Sequence, residues 1–260
     1  MKKYLSIVAA GALAVSCGQP AEESSETLEA EMKTEEHAHG DKDFKWSVDR
    51  FADIEVLRYQ IPGWDQLTAQ QRIYTYYLVE AGLAGRDIIW DQNYRHNLSI
   101  RHAIEDILNK YSGDKTLENW QAFEEYAKRV FFSNGIHHHY SKMKHQPGFD
   151  RAYFDELMLM ADVSLSEEAL EAMFNPEMDK KKVVKNEGMD LVLSSAENMY
   201  DPKMTQAEAE AYYATIIDKE TDKPLSWGLN SKLVYKDGQV AEEVYKVGGL
   251  YGKSLEQVVY

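Results

Sequence analysis

From Thr68 to Ile217 the apolar residues recur at three- and four-residue spacings in successive runs, and only beyond Pro224 does the pattern turn to alternation. That switch of period limits the chain to helices first and a small amount of sheet later, an α+β fold. Thr68-Ala69-Gln70-Gln71 reads as a capping box opening a helix with Ile73, Tyr76, Tyr77 and Leu83 on one face. A second helix is predicted over Asn97 to Lys110 and a third from Thr116, carrying Trp120, Phe123, Tyr126, Ala127 and Val130. Further helices are expected over Phe149 to Met160, Ser166 to Phe174 and, after a second box at Thr205 to Glu208, through Ile217. Asp179 to Leu193 has no clear period, and Lys180-Lys181-Lys182 reads as a solvated turn or helix end. Lys236-Asp237-Gly238-Gln239 between β-branched and aromatic runs is a hairpin signal.

The N-terminal 47 residues stand outside that pattern. Lys2 and Lys3 precede an apolar stretch from Leu5 to Val15, too short for the ~20 residues that a bilayer demands. Residues 1–16 therefore read as a secretory signal. Ala14-Val15-Ser16-Cys17 is similar to a relaxed lipobox, with Leu13 one position early, which implies cleavage before Cys17 and a lipid on that thiol. Cys17 is the only cysteine, and lipidation accounts for it without a disulfide partner. Residues 17–47 are acidic, Ser-rich and poor in apolar groups, a disordered tether in which His37 and His39 are solvated imidazoles, not metal ligands. The expected location is the periplasmic or surface side of a bacterial outer membrane. Residues 48–260 are long enough to enclose a core.

The formal charge is −15, and removal of Lys2 and Lys3 takes it to −17. Such a balance opposes nucleic-acid binding, which draws on Lys and Arg against phosphate. It also disfavours adhesion to anionic lipid, leaving the lipid anchor as the membrane contact. A cationic or neutral peptide is compatible with the charge, as is a plain soluble acidic protein.

Three segments carry more information than composition does: Leu57-Arg58-Tyr59-Gln60-Ile61-Pro62-Gly63-Trp64, Gly85-Arg86-Asp87-Ile88-Ile89-Trp90-Asp91-Gln92-Asn93, and Phe131-Phe132-Ser133-Asn134-Gly135-Ile136-His137-His138-His139-Tyr140. In this order and spacing they resemble the N-terminal part of bacterial dipeptidyl peptidase III, the M49 zinc peptidases. The resemblance covers about residues 48 to 260. It implies a mostly helical part of the lower lobe of a two-lobed enzyme, with the hairpin belonging to a small β-barrel. It also implies release of dipeptides from the N-terminus of oligopeptides, with Tyr140 lining a substrate subsite and Asn134 and Ser133 shaping the same cleft wall. The family's zinc helix reads His-Glu-x-x-Gly-His, and none of the eight histidines here is followed by Glu. The expectation is thus an N-terminal fragment of the enzyme, with zinc in the full-length parent, no catalytic residue and no tight zinc site in these 260 residues, and no activity alone. A lipid-anchored protein that binds peptides without catalysis is the alternative.

His137-His138-His139 invites a metal reading, but consecutive side chains fan apart and no cysteine stands nearby, so a hydrogen-bonded or cleft-lining loop is expected. Arg86, Asp87, Trp90, Asp91 and Asn93 read as an intrahelical network with Arg86 pairing a carboxylate. No nucleophile elbow, P-loop or dinucleotide glycine pattern occurs. Ser254 with Gln257 starts a terminal helix expected to have no second turn.

Overall fold

A computed structural model describes residues 44–217, 228 and 230–260. The signal, Cys17, His37 and His39 lie outside the described residues. The chain divides into two compact units, Met1–Val79 and Glu80–Tyr260.

In the first unit, β1 (Ser47–Phe51) and β2 (Ile54–Leu57) form an antiparallel hairpin whose turn places Ala52 at φ 48°. Residues 44–46, inside the segment read as tether, are held to this hairpin: the Trp46 carbonyl takes the Arg58 amide and the Arg58 guanidinium covers the Phe44 ring at 4.6 Å. A short 3₁₀ turn, Trp64–Gln66, precedes α1 (Ala69–Ala84). The capping box at Thr68 forms as expected, its amide donating to Gln71 Oε1 and its hydroxyl accepting the Gln71 amide. The apolar face does not become a buried one: α1 has no buried residue, and Ile73, Tyr74, Tyr76, Tyr77 and Leu78 are exposed.

The second unit holds the core. It contains α2 (Arg86–Asn93), α3 (Asn97–Lys110), α4 (Glu118–Ser133), α5 (Arg151–Ala161), α6 (Glu167–Phe174) and α7 (Gln206–Ile216). The strands β3 (Ser231–Lys236) and β4 (Gln239–Val244) and the helix α8 (Gly252–Val259) follow. Ile100, Ile104 and Ile107 of α3, Phe123 and Val130 of α4 and Phe154 and Leu157 of α5 are fully or almost fully buried together. Removal of such surface from water is the main stabilising term, ~25 cal/mol per Å² of apolar area. Phe123, Phe149 and Phe154 meet at centroid distances of 5.7 to 6.2 Å, and Trp120 lies flat on Tyr111 at 3.9 Å.

Helix starts follow their caps. Asp150 accepts the Tyr153 amide, Ser166 accepts the Ala169 amide, and Thr205 and Glu208 close a reciprocal box. Asp237 and Gly238 both take positive φ, 51° and 77°, which is the primed turn that the hairpin register Lys236↔Gln239 demands. The fold is α+β, with two small antiparallel sheets among the described residues.

Three expectations are corrected. The terminal helix has two turns, because it starts at Gly252 behind a left-handed Tyr251 and not at Ser254. Asp87 is held by Arg101 of α3, at 2.5 Å, across a helix pair and not by Arg86 within one helix. Lys182 is not solvated: it is 8% exposed, with its ammonium on Asn93 Oδ1 at 2.8 Å.

Candidate functional site

The loop that leaves α4 is built from its C-terminal cap outward. Asn134 sits at φ 51° and ψ 47°, and Gly135 at φ 141°, so the chain reverses as an Asn-Gly pair allows. The reversal is clamped by Asn97, itself 1% exposed. Its Oδ1 accepts the Ile136 amide at 3.1 Å and its Nδ2 donates to the Trp90 carbonyl at 3.0 Å. Asn93 adds a bond to the Asn134 carbonyl at 3.0 Å. A Cβ on Gly135 would come within 2.1 Å of Asn97 Nδ2, which is why glycine is needed there.

Beyond Ile136 the chain folds back on itself. The His138 amide donates to the Met143 carbonyl and the His145 amide to the Ile136 carbonyl. Lys144 and Lys182 tie the loop to the 180–182 segment through their own amides. The Lys144 ammonium donates to the carbonyls of Asn175 and Met178, just beyond the end of α6. Burial holds the Lys144 amine below the ordinary lysine range, with Asp179 and Glu177 opposing that shift.

The three predicted cleft-wall residues meet different fates. Ser133 is 3% exposed and its hydroxyl lies 3.0 Å from His145 Nε2, so it faces inward. Asn134 serves through its backbone as the helix cap. Tyr140 is 84% exposed at the tip, preceded by a tight turn in which His138 Nδ1 accepts the amides of Tyr140 and Ser141 at 3.0 and 3.1 Å.

The histidines separate. His137 turns inward, edge-on to Tyr94, with Nε2 at 2.7 Å from the Asp179 carbonyl. His138 and His139 stack at 4.5 Å instead of fanning apart, and His145 comes within 5.6 Å of His138. Burial pushes the His137 imidazole down to about 4, assisted by Lys182 and Lys144 and opposed by the Asp179 carbonyl. His145 is pushed down to about 4 by burial and by cationic neighbours. These donors are engaged separately and do not converge, and no group of three or more His, Cys, Asp or Glu among the described residues is arranged to hold an ion. The described histidines thus supply no convergent ligand set.

Next to the loop lies a cleft of about 130 Å³ whose lining includes Arg95, Asp179, Ser195, Glu197, Asn198 and Tyr200. Asp179 is committed there, accepting the Tyr94 hydroxyl at 2.6 Å and Arg95 at 2.9 Å. Glu197 is held above the usual carboxylate range by burial, which Lys182 opposes. Sequence reasoning missed this cleft, because its lining comes from segments far apart in the chain, one of them the stretch without a period. Asn97 was missed as well, since a mid-sequence Asn at a helix start gives no sign of the backbone groups that it will gather.

Compared with known proteins, the chain matches no described family and no curated protein.

Proposed function

We propose that the chain forms one wall of an oligopeptide cleft in the lower lobe of a zinc dipeptidyl peptidase of the M49 type, with β3 and β4 part of that lobe's small barrel. Within these 260 residues the activity is capture of a peptide and not its hydrolysis. The support from sequence is the resemblance of the three segments; the observation that carries the binding role is Tyr140. An aromatic side chain that is 84% exposed, on a loop anchored by the buried His137, Lys144 and His145, offers a contact without further ordering. Its ring supplies apolar area and its hydroxyl a hydrogen bond to a peptide backbone laid across the tip. Zinc would polarise the scissile carbonyl and activate water in the parent enzyme. The groups for that chemistry are not in this sequence.

The test is fluorescence anisotropy with labelled tetra- and pentapeptides, together with a dipeptide-release assay, on the purified chain with zinc supplied. Saturable binding without release is expected, and Tyr140→Ala should weaken it about tenfold, as loss of a central aromatic contact does. Stoichiometric zinc with dipeptide release would overturn the inactive reading; absence of saturable binding would remove the cleft wall.

The second reading, a lipid-anchored peptide binder outside any peptidase, rests on Cys17 and on the missing His-Glu pair. The mass of the native product in source cells separates the two, since only the peptidase requires further sequence. Anchoring to the bacterial outer membrane belongs to both readings, and Cys17→Ser should abolish fatty-acid labelling of the protein.

A further inference from the structure

We propose that residues 136–145 form an acid-triggered latch: when the imidazoles of this segment take up protons, it detaches from α4 and from the 180–182 segment while the helical core stays folded. One hydrogen-bonding arrangement requires a neutral ring. A carbonyl only accepts, so His137 Nε2 must carry the proton that meets the Asp179 carbonyl, which leaves Nδ1 bare. That Nδ1 is buried with no partner, and a second proton there would have no acceptor. His138 Nδ1 accepts the amides of Tyr140 and Ser141, which ties the tip of the segment to this ring.

The surroundings make the cost collective. His138 lies 4.5 Å from His139 and 5.6 Å from His145, so charge on one ring opposes charge on the next. The charged groups facing the cluster are mostly cations: Arg129 from α4, Lys142 and Lys144 from the loop, and Lys182 from the segment beside it. The facing acid is Asp179, which Tyr94 and Arg95 already engage, while Glu171 and Glu177 face Lys144.

His137 and His145 are held at about 4 in the closed loop against 6.5 when free. The closed form is therefore favoured above 6.5 and loses ground as pH falls from 6.5 towards 4. Between pH 7 and 5 each of these two histidines multiplies the open population by roughly twentyfold, about five hundredfold together.

The test is hydrogen exchange by mass spectrometry on the purified full chain at several pH values, corrected for intrinsic rates. Peptides spanning 136–145 should lose protection by about two to three decades from pH 7 to 5, reversibly, while α3 and α5 peptides keep theirs. A double variant, His137→Gln with His145→Gln, should flatten that dependence. If it fails to fold, histidine-ring NMR of the parent decides instead. His137 should be protonated at Nε2 alone in the closed form, and it should gain its second proton over the same pH range in which the loop opens. Loop protection that is unchanged down to pH 4.5, loss that coincides with unfolding of α3 and α5, or a His137 proton at Nδ1 would overturn the latch.

Discussion

Gly135→Ala is the sharpest test of how the loop is held. A Cβ there would stand 2.1 Å from Asn97 Nδ2 and 2.6 Å from its Cγ, on backbone at φ 141° that L side chains rarely adopt. The backbone strain is worth ~1–3 kcal/mol. Asn97 must then swing away, and the Ile136 amide, in a fully buried residue, loses its acceptor. Leaving such a donor unpaired costs a further ~1–3 kcal/mol. A loss of about 2–6 kcal/mol is expected, a large share of the ~5–15 kcal/mol that holds a typical domain. Urea unfolding at pH 7.5, followed by near-UV circular dichroism, reads it. Gly188→Ala is the control, since Gly188 has φ 78° with nothing within 4 Å of the added carbon. It should cost about 1 kcal/mol, the backbone part alone. In an Asn97→Ala background the Gly135→Ala penalty should shrink by ~1 kcal/mol or more, because the two changes share one contact. A Gly135→Ala loss no greater than that of Gly188→Ala would refute the clamp.

Two further outcomes follow from burial. Phe123→Ala, at a fully buried ring packed among Trp120, Phe149 and Phe154, should destabilise the second unit by ~3–5 kcal/mol in the same unfolding assay. Lys182 is pushed down to about 8 by burial, against 10.5 when free, so its ammonium opposes folding most fully below pH 8. Urea midpoints of the parent should therefore rise relative to Lys182→Met between pH 8 and 10.5, and a pH-independent difference would sink that assignment.

Much of the helical framework was legible because its determinants are local. The Asn97 to Lys110 helix has the bounds that its isoleucine spacing implies, and the boxes at Thr68 and Thr205 form as written. Asp237-Gly238 needed only turn chemistry. The first hairpin was missed because its turn, Ala52-Asp53, carries no glycine and Ala52 takes positive φ only in the context of its strands. Lys182 was misread for a different reason: a run of three lysines looks solvated, and nothing local shows that one will be drawn under Asn93, 89 residues away. Ser133 and Tyr140 lie in one short segment, yet one is sealed against His145 and the other fully presented, a difference that depends on how the helix end is rotated. Burial of α1's apolar residues could not be read from spacing, since periodicity describes a face but not what covers it.

Asn97 also has a kinetic meaning. Its side chain joins the end of α2 at Trp90, the start of α3, and the chain beyond α4 at Ile136, so the bonds can form only after those three helices have assembled. If α3 against α5 nucleates folding, contacts of that kind form after the transition state. Asn97→Ala is then expected to speed unfolding and leave the refolding rate nearly unchanged, which the two limbs of a urea chevron read. A single buried amide would then set how long the native loop survives, without governing how fast the helices find one another.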